Sequence, residues 1–306
     1  MASTRKLIVV VGSINLDLVA RAPQIPLAGQ TLIGTDFVTT PGGKGANQAV
    51  AVARLGYPVE MIGCVGEDVF GQEMLDNLNN AGVGTSAVTR VAGPTGIAQI
   101  LVADNGENSI VVVPGANGKV DSIAIHHQSA LISSAGMVLC QLELPAPTIG
   151  YLLGFCSGAG IPLMLDPAPA ARLCKEMFGQ TAWFTPNETE AAFYVGETKC
   201  AEESAARLFE KGLRGVVLKR GGEGSFVAVA GGDAAWVKPF PAEAIDTVGA
   251  GDCFNGAFAV AMLEGKDPWE AARFASAAAA ISVTRRGAQA SMPSRAEVDA
   301  LMAKQP

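Results

Sequence analysis

Leu7-Ile8-Val9-Val10-Val11-Gly12-Ser13-Ile14-Asn15-Leu16-Asp17 opens on five consecutive apolar residues that stop at a glycine. A short apolar run without alternation reads as a strand covered on both faces. Beyond the glycine, Asn15 and Asp17 share one face if the backbone stays extended. The same design recurs along the chain, in Glu60–Val65, Met137–Leu142, Pro162–Leu165, Trp183–Thr185 and Val216–Leu218. Helical periodicity follows most of these runs, at Ala46–Leu55, Gln72–Asn80, Pro145–Phe155 and Glu188–Val195. Strands alternating with helices predict an α/β fold whose mostly parallel sheet is flanked by helices.

Two segments break the rhythm. Between Asn15 and Pro41 only short β-like pieces stand out, Thr31–Gly34 and Asp36–Thr40. From Gly96 to Val113 two apolar runs flank Asp104-Asn105-Gly106-Glu107, and Asn-Gly is a strong hairpin signal. Together they predict a small inserted β-sheet lid, formed by segments 15–42 and 96–113. The α/β core then comprises 1–14, 43–95 and 114–306 of a single domain, since no linker divides the chain.

Composition narrows the function. Of the 306 residues 49% are hydrophobic and 17% charged, which excludes a disordered chain, and the net charge of −7 excludes a nucleic-acid binder. The polar start, Met1 to Lys6, and the five-residue run after it are too short for an export signal or a membrane span. Six cysteines stand singly, with no metal-ligand spacing, as expected for reduced thiols in the cytoplasm. His126-His127 reads as a surface helix feature.

Polar residues gather where strands end. Glu143 follows the run at Met137, Asp166 follows the next, then Asn187, then Lys219-Arg220. Any one of them could cap a helix or make a turn. As a set, they mark a polar ligand site beyond the carboxyl edge of a parallel sheet. Pro41-Gly42-Gly43-Lys44-Gly45-Ala46-Asn47-Gln48 starts an amphipathic helix with Lys44 and Asn47 on one side. It lacks the frame of a phosphate-binding P-loop, so a structural turn and a polar ligand site both remain open. Asp246-Thr247-Val248-Gly249-Ala250-Gly251-Asp252-Cys253-Phe254-Asn255-Gly256 opens a long helix with small residues. Free N–H groups there form an anion site, and Phe254 spoils a dinucleotide fingerprint. A carboxylate at Asp252 would repel an anion unless it removes a proton from an attacking hydroxyl. It could also simply cap the helix.

These stretches resemble the signatures of the PfkB-type carbohydrate kinases, and the Gly-Gly-Lys-Gly-Ala-Asn-Gln run resembles their ribokinase branch. Thr185-Pro186-Asn187-Glu188-Thr189-Glu190 and Thr284-Arg285-Arg286-Gly287-Ala288-Gln289 add to the likeness, which spans nearly the whole chain. The resemblance implies ATP-dependent phosphorylation of D-ribose at its 5-hydroxyl. It assigns Asn15, Asp17, Gly43, Lys44, Asn47, Glu143 and Asp252 to the sugar, with Asp252 as the base. Gly249, Ala250 and Gly251 go to the catalytic turn, and the amides of Ala250, Gly251 and Asp252 to the anion hole, Gly251 also touching the nucleotide. Asn187 and Glu190 would organise Mg2+ at the nucleotide phosphates. Lys219, Arg220, Gly221, Gly222, Glu223, Gly224 and Ser276 would lie along the nucleotide. An activating K+ would sit among Asp246, Val248, Ser282, Arg285, Gly287 and Ser291. Independently of the resemblance, the exposed lid strands suggest a homodimer, since an unpaired β edge invites a partner. The loop at 219–224 is more charged than the family's Thr-rich loop, and Ser276 stands where a His or Asn is expected. Related kinases of fructose, adenosine or a keto-sugar acid are the near alternatives. A non-catalytic sugar-binding protein would have no use for Asp252.

Overall fold

The computed structural model describes residues 6–304; the polar stretch before Lys6 and the last two residues lie outside the described residues. In chain order the strands are β1 (Ile8–Val11), β2 (Asn15–Ala22), β3 (Asp36–Gly42), β4 (Val59–Gly66), β5 (Gly84–Val91), β6 (Gly96–Ala103), β7 (Asn108–Val113), β8 (Met137–Cys140), β9 (Leu163–Leu165), β10 (Trp183–Phe184), β11 (Gly215–Lys219), β12 (Ser225–Val229) and β13 (Ala234–Val237). The helices are α1 (Lys44–Arg54), α2 (Val69–Asn80), α3 (Ser122–His127), α4 (Ser129–Ser134), α5 (Ala146–Ala159), α6 (Lys175–Gln180), α7 (Glu188–Val195), α8 (Ala201–Glu210), α9 (Ala250–Leu263), α10 (Pro268–Ser282) and α11 (Arg295–Lys304).

Nine strands form the main sheet in the order β13-β12-β11-β10-β9-β8-β1-β4-β5, parallel from β5 to β11. The antiparallel edge, β12 and β13, was not anticipated from the sequence. β1 lies inside the sheet and its side chains alternate between two cores. Ile8 and Val10 join the cluster that includes α1, α9 and α10, while Val9 and Val11 join the cluster with α5 and α8. This explains the continuous apolar run: neither face of β1 meets water. The first face is built largely from small residues, with Ala257, Ala259 and Ala261 of α9 and Ala271, Ala275 and Ala278 of α10 fully buried. Their size lets α9 and α10 lie close together.

The second sheet has the order β3-β2-β6-β7. β2 pairs in parallel with β6, from Asn15↔Gly96 to Ala22↔Ala103, and antiparallel with β3. The β6–β7 hairpin closes as expected, with Gly106 N–H donating to Ala103 O at 2.9 Å. Thr31–Gly34 is irregular, a correction to the expected β piece, because no neighbouring strand offers it a ladder; the interior strands of this sheet are β2 and β6. α7 starts where expected, because Asn187 and Glu190 cap each other's backbone N–H groups. His126 and His127 end α3 at the surface, His126 within 3.1 Å of the Tyr151 hydroxyl. Among the described residues no helix is long and apolar enough to cross a membrane.

Candidate active site

Asp166 beyond β9, Asn187 beyond β10 and Lys219 at the end of β11 stand at the carboxyl edge of the parallel strands, where Gln48 of α1 and Asp252 of α9 meet them. Asp252 sits in the first turn of α9 and is 5% exposed. Each of its carboxylate oxygens accepts an amide from α1: Asn47 Nδ2 donates to Oδ2 at 2.9 Å, and Gln48 Nε2 to Oδ1 at 3.1 Å. Burial pushes the Asp252 carboxyl up to about 6; Lys44 pulls it down, Asp166 adds to the rise, and the two amides oppose it. A carboxylate poised near 6 is ionised at neutral pH yet basic enough to take a proton.

On one side of Asp252 lie the residues expected at the sugar. Gly43 separates β3 from α1 at φ +87°, and a Cβ there would come within 2.7 Å of Asn15 N. Only glycine allows the chain to turn from sheet to helix so tightly. Lys44 N–H donates to Glu143 Oε2 at 3.3 Å, and the Ser13 hydroxyl donates to the same oxygen. Asp17 is buried beside them. Burial, then Glu143 and Asp252, push its carboxyl up to about 7, with Lys44 acting the other way. Burial works against the Lys44 ammonium, but Asp252, Asp166, Glu143 and Glu190 outweigh it and hold its pKa above the ordinary value.

On the other side opens a cavity of about 750 Å³. Asn187, Glu190, Lys219, Gly221, Gly222, Gly224 and Ser276 line it, as do Gly249, Ala250, Gly251 and Asp252. Phe240, Pro239, Pro241, Ala279 and Val283 supply an apolar wall that sequence reasoning did not identify. Arg220 and Glu223 are not among the lining residues. Arg220 pairs instead with Glu188 at 2.6 Å and Glu223 at 3.1 Å, and lies over the Trp236 ring. The helix end facing the cavity has no side-chain cap. Ala250 N–H turns back to Thr247 O at 3.2 Å, while the N–H groups of Gly251 and Asp252 have no acceptor among the described residues. Lys219 Nζ stands 3.5 Å from where a Gly251 Cβ would be, and pairs with Asp166 at 3.1 Å.

The 246–249 turn is tied to the loop after α10. Val283 O accepts from the N–H groups of Ile245 and Asp246, and the Asp246 carboxylate accepts from Gly287 and Val248 N–H. Ser282 and Ser291 are buried and donate their hydroxyls to Ala279 O and Ala288 O, while Arg285 pairs with Glu297. Asp246, Gly287 and Val283 thus join the turn before α9 to the loop after α10.

Several participants escaped sequence reasoning. Buried amides support the site: Gln141 donates to Gln48 and Gln289 to Asn47, the two residues that hold Asp252, while Asn117 separately donates to Asn15. Gln48 and Gln289 each end a motif, but nothing local marks either glutamine as buried.

Free helix-end donors beside a buried, amide-held carboxylate are the arrangement of a phosphoryl-transfer enzyme. The chain belongs to the pfkB family of carbohydrate kinases, whose profile it matches over residues 5–295. It is 43% identical to the ribokinase of Bacillus subtilis, over 96% of this chain and 99% of that one. Among solved structures it is similar to a ribokinase from Thermotoga maritima (TM-score 0.90, 38% identity, 97% of this chain and 99% of that chain). It is also similar to Arabidopsis thaliana ribokinase complexed with ribose and ATP (TM-score 0.93, 36% identity, 98% and 99%).

Proposed function

We propose that the protein transfers the γ-phosphoryl group of ATP to the 5-hydroxyl of D-ribose, releasing ribose 5-phosphate and ADP. The observation that carries this reading is the placement of Asp252, between the Asn15–Asp17–Lys44–Asn47–Glu143 group and a cavity large enough for a nucleotide. Carboxylates and amides on the first side suit vicinal hydroxyls, which need both donors and acceptors. Asp252 takes the hydroxyl proton as that oxygen bonds to phosphorus and the bond to ADP breaks. The charge on the transferring group falls on the N–H groups of Gly251 and Asp252 at the Gly249-Ala250-Gly251 turn. Lys219, the Gly221–Gly224 loop and Ser276 flank the nucleotide.

Mg2+ fits beside Asn187 and Glu190, because the capping pair engages only one Glu190 carboxylate oxygen. When bound, it neutralises charge on the nucleotide phosphates. Segments 15–42 and 96–113 act as a lid that closes on sugar and excludes water. The same sheet offers a homodimer surface, since β7 is exposed along its whole length with Ile110 and Val111 more than half exposed. Six free cysteines suit a reducing cytoplasm.

A coupled ADP-release assay across ribose, fructose, adenosine and keto-sugar acids tests the substrate. Ribose is expected to give the highest kcat/KM. Fructose or adenosine ahead by about tenfold would overturn ribose while leaving the kinase class in place.

An oxygen-only set at Asp246, Val248, Ser282, Arg285, Gly287 and Ser291, several through backbone carbonyls, suits a hard monovalent cation such as K+. It would stiffen the anion turn from behind. Replacing K+ by a bulky organic cation at fixed ionic strength is expected to lower kcat several-fold, with partial rescue by ammonium. An unchanged kcat would refute the cation role.

A further inference from the structure

Gln48 is 0% exposed and occupies the centre of the site without belonging to either substrate's set. Its amide nitrogen donates twice, to Asp252 Oδ1 at 3.1 Å and to Asp166 Oδ2 at 3.0 Å. Its amide oxygen accepts from Gln141 Nε2 at 2.8 Å, and the two carboxylates, which only accept when ionised, require the NH2 end to face them. The far oxygen of Asp166 holds Lys219 Nζ at 3.1 Å. A continuous chain therefore runs from the base, through one amide, to the ammonium beside the anion turn. Its members come from α9, α1, the end of β9 and the end of β11, so no local structure accounts for their alignment. Two carboxylates this close would repel, and one NH2 group donating to both is the arrangement that holds them at fixed spacing.

We propose that Gln48 is a positioning residue for phosphoryl transfer: its amide clamps Asp252 and Asp166 together, orienting the base toward the hydroxyl while Asp166 aims Lys219 at the phosphoryl group. The proposal rests on Asp252 acting as the base. A hydrogen bond donated to a carboxylate favours its ionised form, so the clamp also keeps Asp252 available as a base at lower pH. The other charged or titratable groups around Asp252 are Lys44 on α1, Asp166 beyond β9, Asp17 on β2 and Cys253 on α9 itself. Lys219 pairs with the other oxygen of Asp166 at 3.1 Å. Of these, Lys44 favours the ionised base, while Asp166 and Asp17 oppose it.

The test is the pH dependence of kcat/KM for ribose at saturating ATP, in the wild type, Gln48→Met and Gln48→Glu. Methionine keeps the shape and removes both donors. Its acid limb is expected to move up by about one pH unit, from the loss of one charge-assisted bond. Glutamate keeps the acceptor for Gln141 and adds a third carboxylate, so its limb should move at least as far. In both variants kcat should also fall while KM for ribose changes little, because no Gln48 contact is assigned to the sugar. Thermal melts establish which variants are folded, and if the methionine protein is not, the glutamate protein alone decides. A folded variant whose acid limb stays with the wild type would overturn the clamp. Failure of the underlying reading looks different: the wild type would show no acid limb, or Asp252→Asn would retain turnover.

Discussion

Asp252→Asn is expected to lower kcat by about 10²–10⁴-fold while sugar binding persists. The substituted amide keeps the volume and one acceptor oxygen, so the α1–α9 contact survives. Its NH2 group would face a donor, either Asn47 or Gln48, and one of these must turn away; a few-fold change in sugar affinity follows from that strain. Proton acceptance is lost outright, because a neutral amide is not a base at any working pH. Calorimetry with ribose and a kinase assay on the same preparation separate the two effects. Retention of more than half the wild-type kcat would rule out Asp252 as the base. The acid limb of the pH profile should vanish with the carboxyl group.

Gly249→Ala is expected to cost about 10²–10³ in kcat, the loss associated with one oxyanion donor. Gly249 turns into α9 at φ +75°, where a Cβ carries a penalty of about 1–2 kcal/mol. The added Cβ would also lie 2.9 Å from Ala288 Cβ and 3.0 Å from Ala288 Cα, in the loop tied back to Asp246. Relief of that clash must move the turn, and with it the N–H groups of Gly251 and Asp252. Ribose affinity should hold, because the residues assigned to the sugar lie on β2, α1 and beyond β8. Gly150→Ala on α5, where a Cβ meets nothing within 4 Å, provides a folded control with unchanged kcat.

Much of this was legible wherever the signal is local. The α7 helix matches its expected limits because Asn187 and Glu190 state its start within four residues. The β6–β7 hairpin follows from Asn105-Gly106, and β1 from an apolar run that only a doubly covered strand tolerates. β2 was missed because Asp17 and Arg21 interrupt its apolar character, and its parallel partner β6 begins some eighty residues later in the chain. Thr31–Gly34 looked like β structure by composition but has nothing to pair with. The buried amides were hidden for a related reason: Gln48, Gln141 and Asn117 are ordinary residues until distant segments enclose them. Asn47 and Asp252 are separated by 205 positions. The motifs marked the site residues through resemblance; which side chains hold the base is visible only in three dimensions.

The position of β1 between β4 and β8 bears on how the chain is made. β4 emerges from the ribosome soon after β1 and can cover one flank at once. β8 follows about 130 residues behind β1, on the order of ten seconds later at typical rates of synthesis. For that interval Ile8–Val11, apolar on both faces, has one hydrogen-bonding edge unpaired and α9 and α10 not yet available to cover it. Until those elements arrive, the open edge and uncovered apolar face are an aggregation hazard. The nascent chain is also inert, because the amide donors of α1 wait for a carboxylate encoded more than two hundred codons downstream.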